Sequence, residues 1–389
     1  MIERRSELSA VERSLRRNPV TVLLGPRQCG KTTLARQVAD LWQARGIAAS
    51  FFDCESVPDR RRLENPEFTL SSLSGLVVID EIQLFPELFA VLRVLADRSD
   101  RSAVFLILGS ASPAVIKTSS ESLAGRIEVV ELSGFSLEDV AVENWRELWL
   151  RGGFPRSFLA PSGEDSRAWR EGFIRTFLER DIPQLGITIP AAVMRRFWTM
   201  LAHFHGQVWN AAELSRSMGL ADKTVRSYLD ILTGTFMIRQ LQPWHEDIRK
   251  RQVKAPKIYF RDSGMLHGLL DIPDEARLHS HPRVGASWEG FALEEVLRAL
   301  PTSQAWFWSV HSGAELDLLV MTRGERWGFE FKFSEAPSVT KSMRIAVADL
   351  SLDRLCVIYP GPVRYRVDER IEVLPIGELG SLTVPRAGD

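Results

Sequence analysis

The segment from Val20 to Thr33 constrains this chain more than any other part of its sequence. An apolar run, Val20 to Leu24, leads into the pattern Gly-x-x-x-x-Gly-Lys-Thr at residues 25–32, and an amphipathic helix with Leu34 and Val38 on its apolar face is predicted to follow. A strand, a glycine-rich turn and a helix in this order form the context in which the pattern, the Walker A motif, binds phosphate. The sequence therefore predicts a phosphate-binding loop here.

The chemistry of this loop follows from its backbone. Glycines at 25 and 30 allow a tight turn whose N–H groups point at a polyphosphate, and the positive end of the following helix adds a favourable field. We expect Lys31 to reach the β- and γ-phosphates and the Thr32 hydroxyl to ligate Mg²⁺. The predicted nucleotide-binding residues are Gly25, Pro26, Arg27, Gln28, Cys29, Gly30, Lys31, Thr32 and Thr33.

A second apolar run ends in two carboxylates. Leu76 to Ile79 is continuous in the manner of a buried parallel strand, and Asp80 and Glu81 follow it. Beside a phosphate loop, Asp80 is predicted to hold Mg²⁺ through water, and Glu81 to orient and polarise the attacking water. The alternative is that both acids are charges at the N-terminus of the next helix, and their position after the first motif disfavours it.

Two more side chains are candidates for the same chemistry. Ser110 follows the predicted strand 103–108, at the position where an ATPase with an additional central strand places a polar sensor of the γ-phosphate. Arg126 is a candidate finger arginine that acts in a neighbouring subunit, which would require a homo-oligomer; an ordinary surface arginine is an equal alternative.

Five segments together resemble a large group of prokaryotic AAA-type ATPases. They are residues 25–34, 77–83, 108–112, 123–126 and 152–155. In that group, the ATPase domain is joined to a C-terminal region known as domain of unknown function 4143. The resemblance covers nearly the whole chain and implies an AAA-like core that uses ATP and Mg²⁺, with a small helical lid, but it implies no settled substrate.

Residues 210–232 have the pattern of two short helices about a turn. Asn210 can cap the first helix with Glu213 completing a capping box, Gly219 supplies the turn, and Asp222 can cap the second helix. Because the strand-like segment 236–241 follows, the pattern predicts a winged helix.

Basic and polar residues make DNA a candidate partner of this segment. The second helix would present Lys223, Thr224, Arg226 and Ser227, and a basic run follows at Arg249, Lys250, Arg251, Lys254 and Lys257. The equal alternative is a packing module with a solvated basic loop, because a fold does not decide a function.

Near the C-terminus, carboxylates and a lysine recur on two predicted strands. Glu330 and Lys332 are two residues apart and share a face, and Asp317 can meet them from the neighbouring strand. This pattern resembles the restriction-endonuclease-like superfamily. By that resemblance Asp317 and Glu330 would bind a divalent metal, Glu289 would complete the site, and Lys332 would orient or activate water. The alternative is an exposed salt bridge on a hairpin.

Composition narrows the class of protein without choosing among these functions. The chain has 389 residues, 45% of them hydrophobic, and a net charge of −1, so it carries no global attraction for nucleic acid or an anionic membrane. Three scattered cysteines give no disulfide framework or zinc spacing. No signal core is apparent, and no apolar run approaches the roughly 18 residues of a membrane helix. We therefore expect a cytoplasmic protein with no membrane partner.

The predicted architecture is α/β throughout. It consists of a P-loop AAA-like ATPase core (1–137), a helical lid (138–190), a winged-helix segment (191–279) and a restriction-endonuclease-like domain (280–389). Two functions stay open at this point. Nucleotide state could control DNA binding or metal-dependent DNA cleavage, or the chain could be a nucleotide-controlled scaffold or signalling ATPase that acts on a protein partner, with a silent nuclease-like domain.

Overall fold

The computed structural model describes residues 2–110, 123–245, 253–300, 304–310, 313–322 and 324–382. The chain divides into two compact units, Met1–Gly134 with Gly234–Phe236, and Phe135–Thr233 with Met237–Asp389. The finer division into four segments stays a prediction.

The first unit is built around one sheet. Its described elements are α1 (Arg5–Arg17), β1 (Val20–Gly25), α2 (Lys31–Ala44), β2 (Ala49–Asp53), α3 (Val57–Arg62), α4 (Pro66–Ser71), β3 (Gly75–Asp80), a 3-10 helix (Ile82–Leu84), α5 (Leu88–Ala96), β4 (Ala103–Ser110) and β5 (Ile127–Glu131). The strands are all parallel, in the order β2-β3-β4-β1-β5. Every residue of β1 is buried, as expected for a central strand of a parallel sheet.

The parallel order decides which residues meet. Strands β1, β4 and β3 are neighbours, and they end at Gly25, Ser110 and Asp80. Because parallel strands have their carboxyl ends at one edge of the sheet, all three residues lie at that edge. Ligands of open α/β sheets bind at this edge.

The second unit contains most of the helices. Its described elements are α6 (Leu137–Val140), a 3-10 helix (Val142–Asn144), α7 (Trp145–Arg151), α8 (Pro155–Phe158), α9 (Gly163–Thr176), a π-helix (Phe177–Asp181), α10 (Ile182–Gln184), α11 (Ala191–His203), β6 (Gln207–Val208), α12 (Ala211–Met218), α13 (Asp222–Gly234), β7 (Ile238–Leu241), β8 (Lys257–Phe260), α14 (Ser263–Leu269), α15 (Glu275–Ser280), α16 (Val284–Ala299), β9 (Ala305–Ser309), β10 (Glu315–Thr322), β11 (Glu325–Phe331), α17 (Lys341–Asp349), β12 (Arg354–Tyr359), β13 (Tyr365–Arg366), β14 (Ile371–Pro375) and a 3-10 helix (Ile376–Leu382).

The two short helices expected at residues 210–232 are α12 and α13. The Asn210 side chain accepts a hydrogen bond from the Glu213 amide at 3.3 Å, and Gly219 ends α12 with φ +68°. Asp222, expected as a cap, is the first residue of α13, and its carboxylate accepts a hydrogen bond from the Ser215 hydroxyl. A small antiparallel sheet, β6-β8-β7, lies in the same unit. The winged-helix interpretation stays a prediction.

A second, mixed sheet follows in the order β13-β14-β12-β11-β10-β9. Strands β9, β10 and β11 are antiparallel neighbours, whereas β11, β12 and β14 run parallel. The expected pairing of the strands that carry Asp317 and Glu330 is present, because β10 and β11 pair with Leu318 opposite Phe329. Apolar side chains of β10, β12 and α17 form a core on one face of this sheet.

Among the residues described, no helix is long and apolar enough to cross a membrane.

The close approach of Gly290 to His205 generates a prediction about stability. A Cβ atom at Gly290 would lie 2.2 Å from Nε2 of His205, which is buried and accepts a hydrogen bond from the Phe260 amide. We expect Gly290→Ala to lower the free energy of unfolding by about 1–3 kcal/mol through overpacking. Tryptophan fluorescence during urea unfolding measures this change in free energy. The signal reports on the second unit, which contains Gly290, because every tryptophan except Trp42 belongs to that unit.

Gly285→Ala is the matched control in the same helix. A Cβ atom at Gly285 meets nothing within 4 Å, so this change should be neutral or stabilise the helix by up to about 1 kcal/mol. Equal stability of the two variants would contradict the close contact.

Candidate functional site

The phosphate loop connects β1 to α2 through backbone conformations that favour glycine. A Cβ atom at Gly25 would lie 2.1 Å from the carbonyl oxygen of Leu132, so no larger residue fits there. Gln28 and Gly30 have positive φ angles of 62° and 102°. Left-handed residues between right-handed ones turn successive N–H groups inward and form a concavity for anions. The predicted phosphate loop therefore has a suitable backbone.

Lys31 lies at the first position of α2 and folds back over the loop. Its Nζ donates hydrogen bonds to the carbonyl oxygens of Gly25 at 3.0 Å and Pro26 at 2.8 Å, and the residue is only 5% exposed. The loop thus holds a buried ammonium against its own backbone, where a polyphosphate would compete for it.

The two predicted Mg²⁺ ligands of the first unit meet directly. The Thr32 hydroxyl donates to Oδ2 of Asp80 at 2.7 Å, and Oδ1 of Asp80 accepts from the Glu81 amide at 2.9 Å. Burial raises the pKa of the Asp80 carboxyl, while the hydrogen bond from Thr32 opposes this shift. Hydroxyl and carboxylate oxygens are the hard ligands that Mg²⁺ prefers, so these residues fit that ion.

Glu81 and Ser110 flank this pair. Glu81 has a positive φ of 52°, and its carboxylate accepts a hydrogen bond from the side-chain amide of Gln83. Ser110 is paired in register with Gly25 of the phosphate loop, and its buried hydroxyl has no hydrogen-bond partner among the described residues. A buried hydroxyl without a partner is costly, and a bound oxyanion would satisfy it. The edge of the sheet therefore brings Ser110, Glu81 and Asp80 to the phosphate loop.

The other loop residues have ordinary contacts. Arg27 forms an ion pair with Glu55 at 3.2 Å, and Thr33 is exposed. Cys29 is fully buried, with its Sγ 3.6 Å from the carbonyl oxygen of Leu132. These contacts give Cys29 a packing role within the loop.

Arg126 lies far from the phosphate loop of its own chain. It precedes β5, whose first residue Ile127 pairs with Val20 at the start of β1, so it is at the opposite edge of the sheet. One strand length, roughly 15 Å, separates the two edges. The Arg126 guanidinium binds Asp97, with Nη2 to Oδ2 at 2.8 Å. A role in a neighbouring subunit stays a prediction.

The C-terminal candidates come together as well. Nζ of Lys332 lies 2.8 Å from Oε2 of Glu330, and Oδ2 of Asp317 accepts from the Phe331 amide at 3.2 Å. Asp317 and Glu330 are buried, at 5% and 4% exposure, so an exposed salt bridge does not describe them. Within the described parts of the chain, Oε1 of Glu330 has no hydrogen-bond partner.

Two residues of this cluster were missed by sequence reasoning. Nζ of Lys257 lies 3.5 Å from Oε1 of Glu289 and 3.4 Å from Oδ1 of Asp317. The Tyr259 hydroxyl donates to the same Glu289 oxygen at 2.5 Å. A lysine and a tyrosine two apart in a short apolar strand share a face, and this was the available signal.

The expectation that Lys257 belongs to a surface basic run is wrong. It is 5% exposed, because β8 lies between β6 and β7 and points this side chain at the carboxylates of Asp317 and Glu289. Lys254 is exposed, as are Lys223, Arg226 and Ser227 of α13, while Thr224 is half-buried. Arg249, Lys250 and Arg251 lie outside the described residues.

Burial and neighbouring charges shift the acid groups of this cluster. Burial, with the nearby Asp317 charge, raises the pKa of Glu289 to about 7 and that of Glu330 to about 8. Burial opposes charge on Lys257 too, but Tyr259, Glu289 and Asp317 hold the pKa of its ammonium well above the usual value. The cluster therefore keeps its lysine charged and favours protonation of its glutamates.

The C-terminal carboxylates do not make an open metal site in this arrangement. Two of them contact Lys257, and Glu330 contacts Lys332. No group of three or more His, Cys, Asp or Glu side chains in the described ranges has the arrangement to hold a metal. The metal role of Glu289, Asp317 and Glu330 stays a prediction.

Three protein families match the sequence. Residues 17–141 match an AAA domain, residues 142–276 match a domain of unknown function (DUF8612), and residues 284–379 match another (DUF4143). The expected AAA domain and DUF4143 are therefore confirmed. With the parallel sheet and its phosphate loop, the AAA match confirms the predicted P-loop ATPase core, and an α/β C-terminal domain is also present. The endonuclease-like description of the latter stays a prediction.

Curated relatives cover almost the whole chain. Uncharacterized protein Rv2008c of Mycobacterium tuberculosis and uncharacterized protein Mb2031c of Mycobacterium bovis are each 51% identical over 379 residues, which is 97% of this chain and 85% of theirs.

Similar solved structures are more distant. A Walker-type ATPase of Pyrococcus abyssi is 16% identical, with a TM-score of 0.47 over 69% of this chain and 96% of that one. AMPPCP-bound DnaA from Aquifex aeolicus is 13% identical, with a TM-score of 0.29 over 59% of this chain and 88% of its own.

The Ser110 hydroxyl, which has no partner among the described residues, generates a prediction. Ser110→Ala removes no hydrogen bond to those residues, so we expect the unfolding free energy to change by less than about 0.5 kcal/mol. ATP turnover should fall by at least about tenfold, because a hydroxyl aimed at developing charge stabilises the transition state. Thermal unfolding and steady-state phosphate release measure the two effects.

Ser102→Ala is the control at the other end of β4, where the hydroxyl donates to the Leu73 carbonyl at 2.9 Å on the surface. It should leave turnover at the wild-type level. ATP turnover at the wild-type rate in Ser110→Ala would contradict a role for Ser110 in hydrolysis.

Proposed function

Since the chain belongs to the same family as these two mycobacterial proteins and contains an AAA domain, we propose that it binds ATP with Mg²⁺ and hydrolyses it. The direct hydrogen bond between Thr32 and Asp80 carries this proposal, because it joins the loop hydroxyl and the strand carboxylate that would share Mg²⁺. Lys31 would exchange its loop carbonyls for the β- and γ-phosphates. The bound ion would neutralise phosphate charge during transfer.

We assign to Glu81 the role of orienting and polarising the water that attacks ATP. Glu81 follows Asp80 at the edge of the sheet, and Gln83 holds its carboxylate. Ser110 lies on the neighbouring strand, and its hydroxyl, which has no partner in the described ranges, can bind a phosphate oxygen or the water. The combination of a hydrogen-bonded carboxylate, candidate ion ligands and this hydroxyl supports an enzyme over a protein that only binds nucleotide.

Glu81→Gln tests this assignment. The amide has nearly the same shape but cannot accept a proton from water, so we expect kcat for ATP to fall at least about 100-fold. The Kd for ATP should stay within about threefold, because Glu81 is not assigned to the phosphates. Phosphate release gives kcat, and calorimetric titration gives the Kd.

Glu87→Gln is the matched control, since Glu87 is exposed six residues later and has no assigned role. ATP turnover at the wild-type rate in Glu81→Gln would show that another group activates the attacking water.

A second candidate function is DNA engagement controlled by nucleotide state. It is supported by the exposed Lys223 and Arg226 of α13 and by the convergence of Asp317, Glu330 and Lys332. The two features lie in one compact unit. The rival is a nucleotide-controlled scaffold or signalling ATPase with a protein partner and a silent nuclease-like domain. We keep a cytoplasmic location and a homo-oligomer as predictions under either function.

DNA binding and cleavage separate the two functions. If α13 contacts phosphates, affinity for duplex DNA should fall steeply with salt, and Lys223→Glu with Arg226→Glu should weaken it by about tenfold or more. Arg16→Glu with Arg17→Glu makes the same charge change on exposed residues of α1 and should have little effect. Fluorescence anisotropy at several salt concentrations measures both.

Cleavage is the second arm of this experiment. Plasmid and single-stranded DNA are incubated with Mg²⁺ or Mn²⁺, with and without ATP, beside Asp317→Ala and Lys31→Ala. Cleavage that Asp317→Ala abolishes would establish a nuclease, and its loss in Lys31→Ala would show control by ATP. ATP hydrolysis without DNA binding or cleavage would favour the protein-partner function.

A further inference from the structure

Lys257 is a buried cation placed between the buried carboxylate of Asp317 and the half-buried carboxylate of Glu289. Its Nζ lies 3.4 Å from Oδ1 of Asp317 and 3.5 Å from Oε1 of Glu289. It also lies 5.6 Å from the centroid of the Phe307 ring, whose face attracts cations. The lysine is 5% exposed, so water screens these contacts weakly.

Asp317 and the half-buried Glu289 lie close to the same point, and a cation there stabilises the charged form of both. Carboxylates without a counter-charge are costly in a protein interior, and their mutual repulsion adds to that cost. In a metal-dependent site a divalent ion supplies the positive charge, at about 2.0–2.6 Å from the oxygens. An ammonium between the same oxygens repels such an ion and uses the lone pairs that would bind it.

We propose that Lys257 is the built-in cation of the C-terminal site, and that its ammonium takes the place of a divalent metal between Glu289 and Asp317. This inference rests on the proposed C-terminal site and specifies its ligand. The site excludes a divalent metal for as long as β8 holds Lys257 there.

The strand that carries Lys257 is not part of the C-terminal sheet. Ile258 pairs with Gln207 of β6, and Tyr259 pairs with Arg239 of β7. Tyr259, two residues from Lys257 on the same face, donates to Glu289 and fixes the carboxylate from the same strand. The small sheet therefore supplies two groups, from Lys257 and Tyr259, that both contact Oε1 of Glu289.

Glu330 and Lys332 form the other half of the cluster and contact each other rather than Lys257. Lys332 contacts only one oxygen of Glu330, and Oε1 of Glu330 has no partner within the described part of the molecule. Removing Lys257 would take away the ammonium that contacts Glu289 and Asp317, a change that favours capture of a divalent ion by these carboxylates.

Binding of Mn²⁺ to the full chain without nucleotide tests the proposal. Electron paramagnetic resonance of free Mn²⁺ gives the number of ions bound by the wild type, Asp317→Asn, Lys257→Met, Lys257→Met with Asp317→Asn, and Lys254→Met. Lys254 is an exposed lysine three residues before Lys257 and is the matched control. The nucleotide site is unchanged in all five proteins.

We expect Lys257→Met to bind one Mn²⁺ more than the wild type, with at least about tenfold higher affinity for that ion. The extra ion should be absent from Lys254→Met and lost when Asp317→Asn is added. Mn²⁺ should also raise the Tm of Lys257→Met but not of the wild type. If Lys257→Met does not fold, Lys257→Gln, which keeps a donor without the charge, takes its place.

Two results would overturn the proposal. The first is a folded Lys257 variant that binds no more Mn²⁺ than the wild type. The second is a wild-type protein that already binds an ion which the Asp317→Asn variant does not bind. The second comparison needs no lysine variant. In that second case, cleavage of DNA would support the nuclease function while this inference fails. ATP turnover of the same proteins reports separately on the nucleotide site.

Discussion

Neutralisation of buried charge organises the second unit of this protein around one helix. Glu294 and Glu295 of α16 are buried and Glu289 is half-buried, and each contacts groups from other segments or from the helix itself. Arg239 of β7 binds Glu294 with Nη2 at 2.9 Å from Oε2, and although burial opposes ionisation, this arginine lowers the pKa of Glu294 to about 2. Glu295 pairs with Arg298 and accepts from the Leu137 amide. Because buried charges are tolerated only when they are paired, α16 fixes the positions of β7, β8 and the start of the unit.

The first unit depends on a geometric constraint instead. Parallel strands place the loop after β1, the hydroxyl after β4 and the carboxylates after β3 side by side, without any side chain having to hold the strands together. The site therefore needs few stabilising contacts of its own. Lys31 binds loop carbonyl oxygens and Thr32 binds Asp80 in place of a ligand, and the Ser110 hydroxyl has no partner in the part of the chain that the structure describes. A rigid sheet edge allows such polar groups to await a ligand.

The sequence predicted those parts that depend on local spacing. The loop, the strand ending at Asp80 and the hairpin of β10 and β11 follow from short patterns of apolar and glycine residues. The burial of Lys257 did not follow, because its partners are 32 and 60 residues away in the chain and a lysine beside basic neighbours reads as solvated. Likewise, only the strand register shows that Arg126 lies at the far edge of its own sheet.

The cations that neutralise the glutamates of α16 also limit where the chain can be split during evolution. A segment that began near residue 280 would keep Glu289, Glu294 and Asp317 but would leave behind Lys257 and Arg239, which neutralise them. Such a fragment would expose its interior to uncompensated negative charge. We therefore expect chains that contain the C-terminal sheet to contain β7 and β8 as well, so that the two matched domains of unknown function occur together.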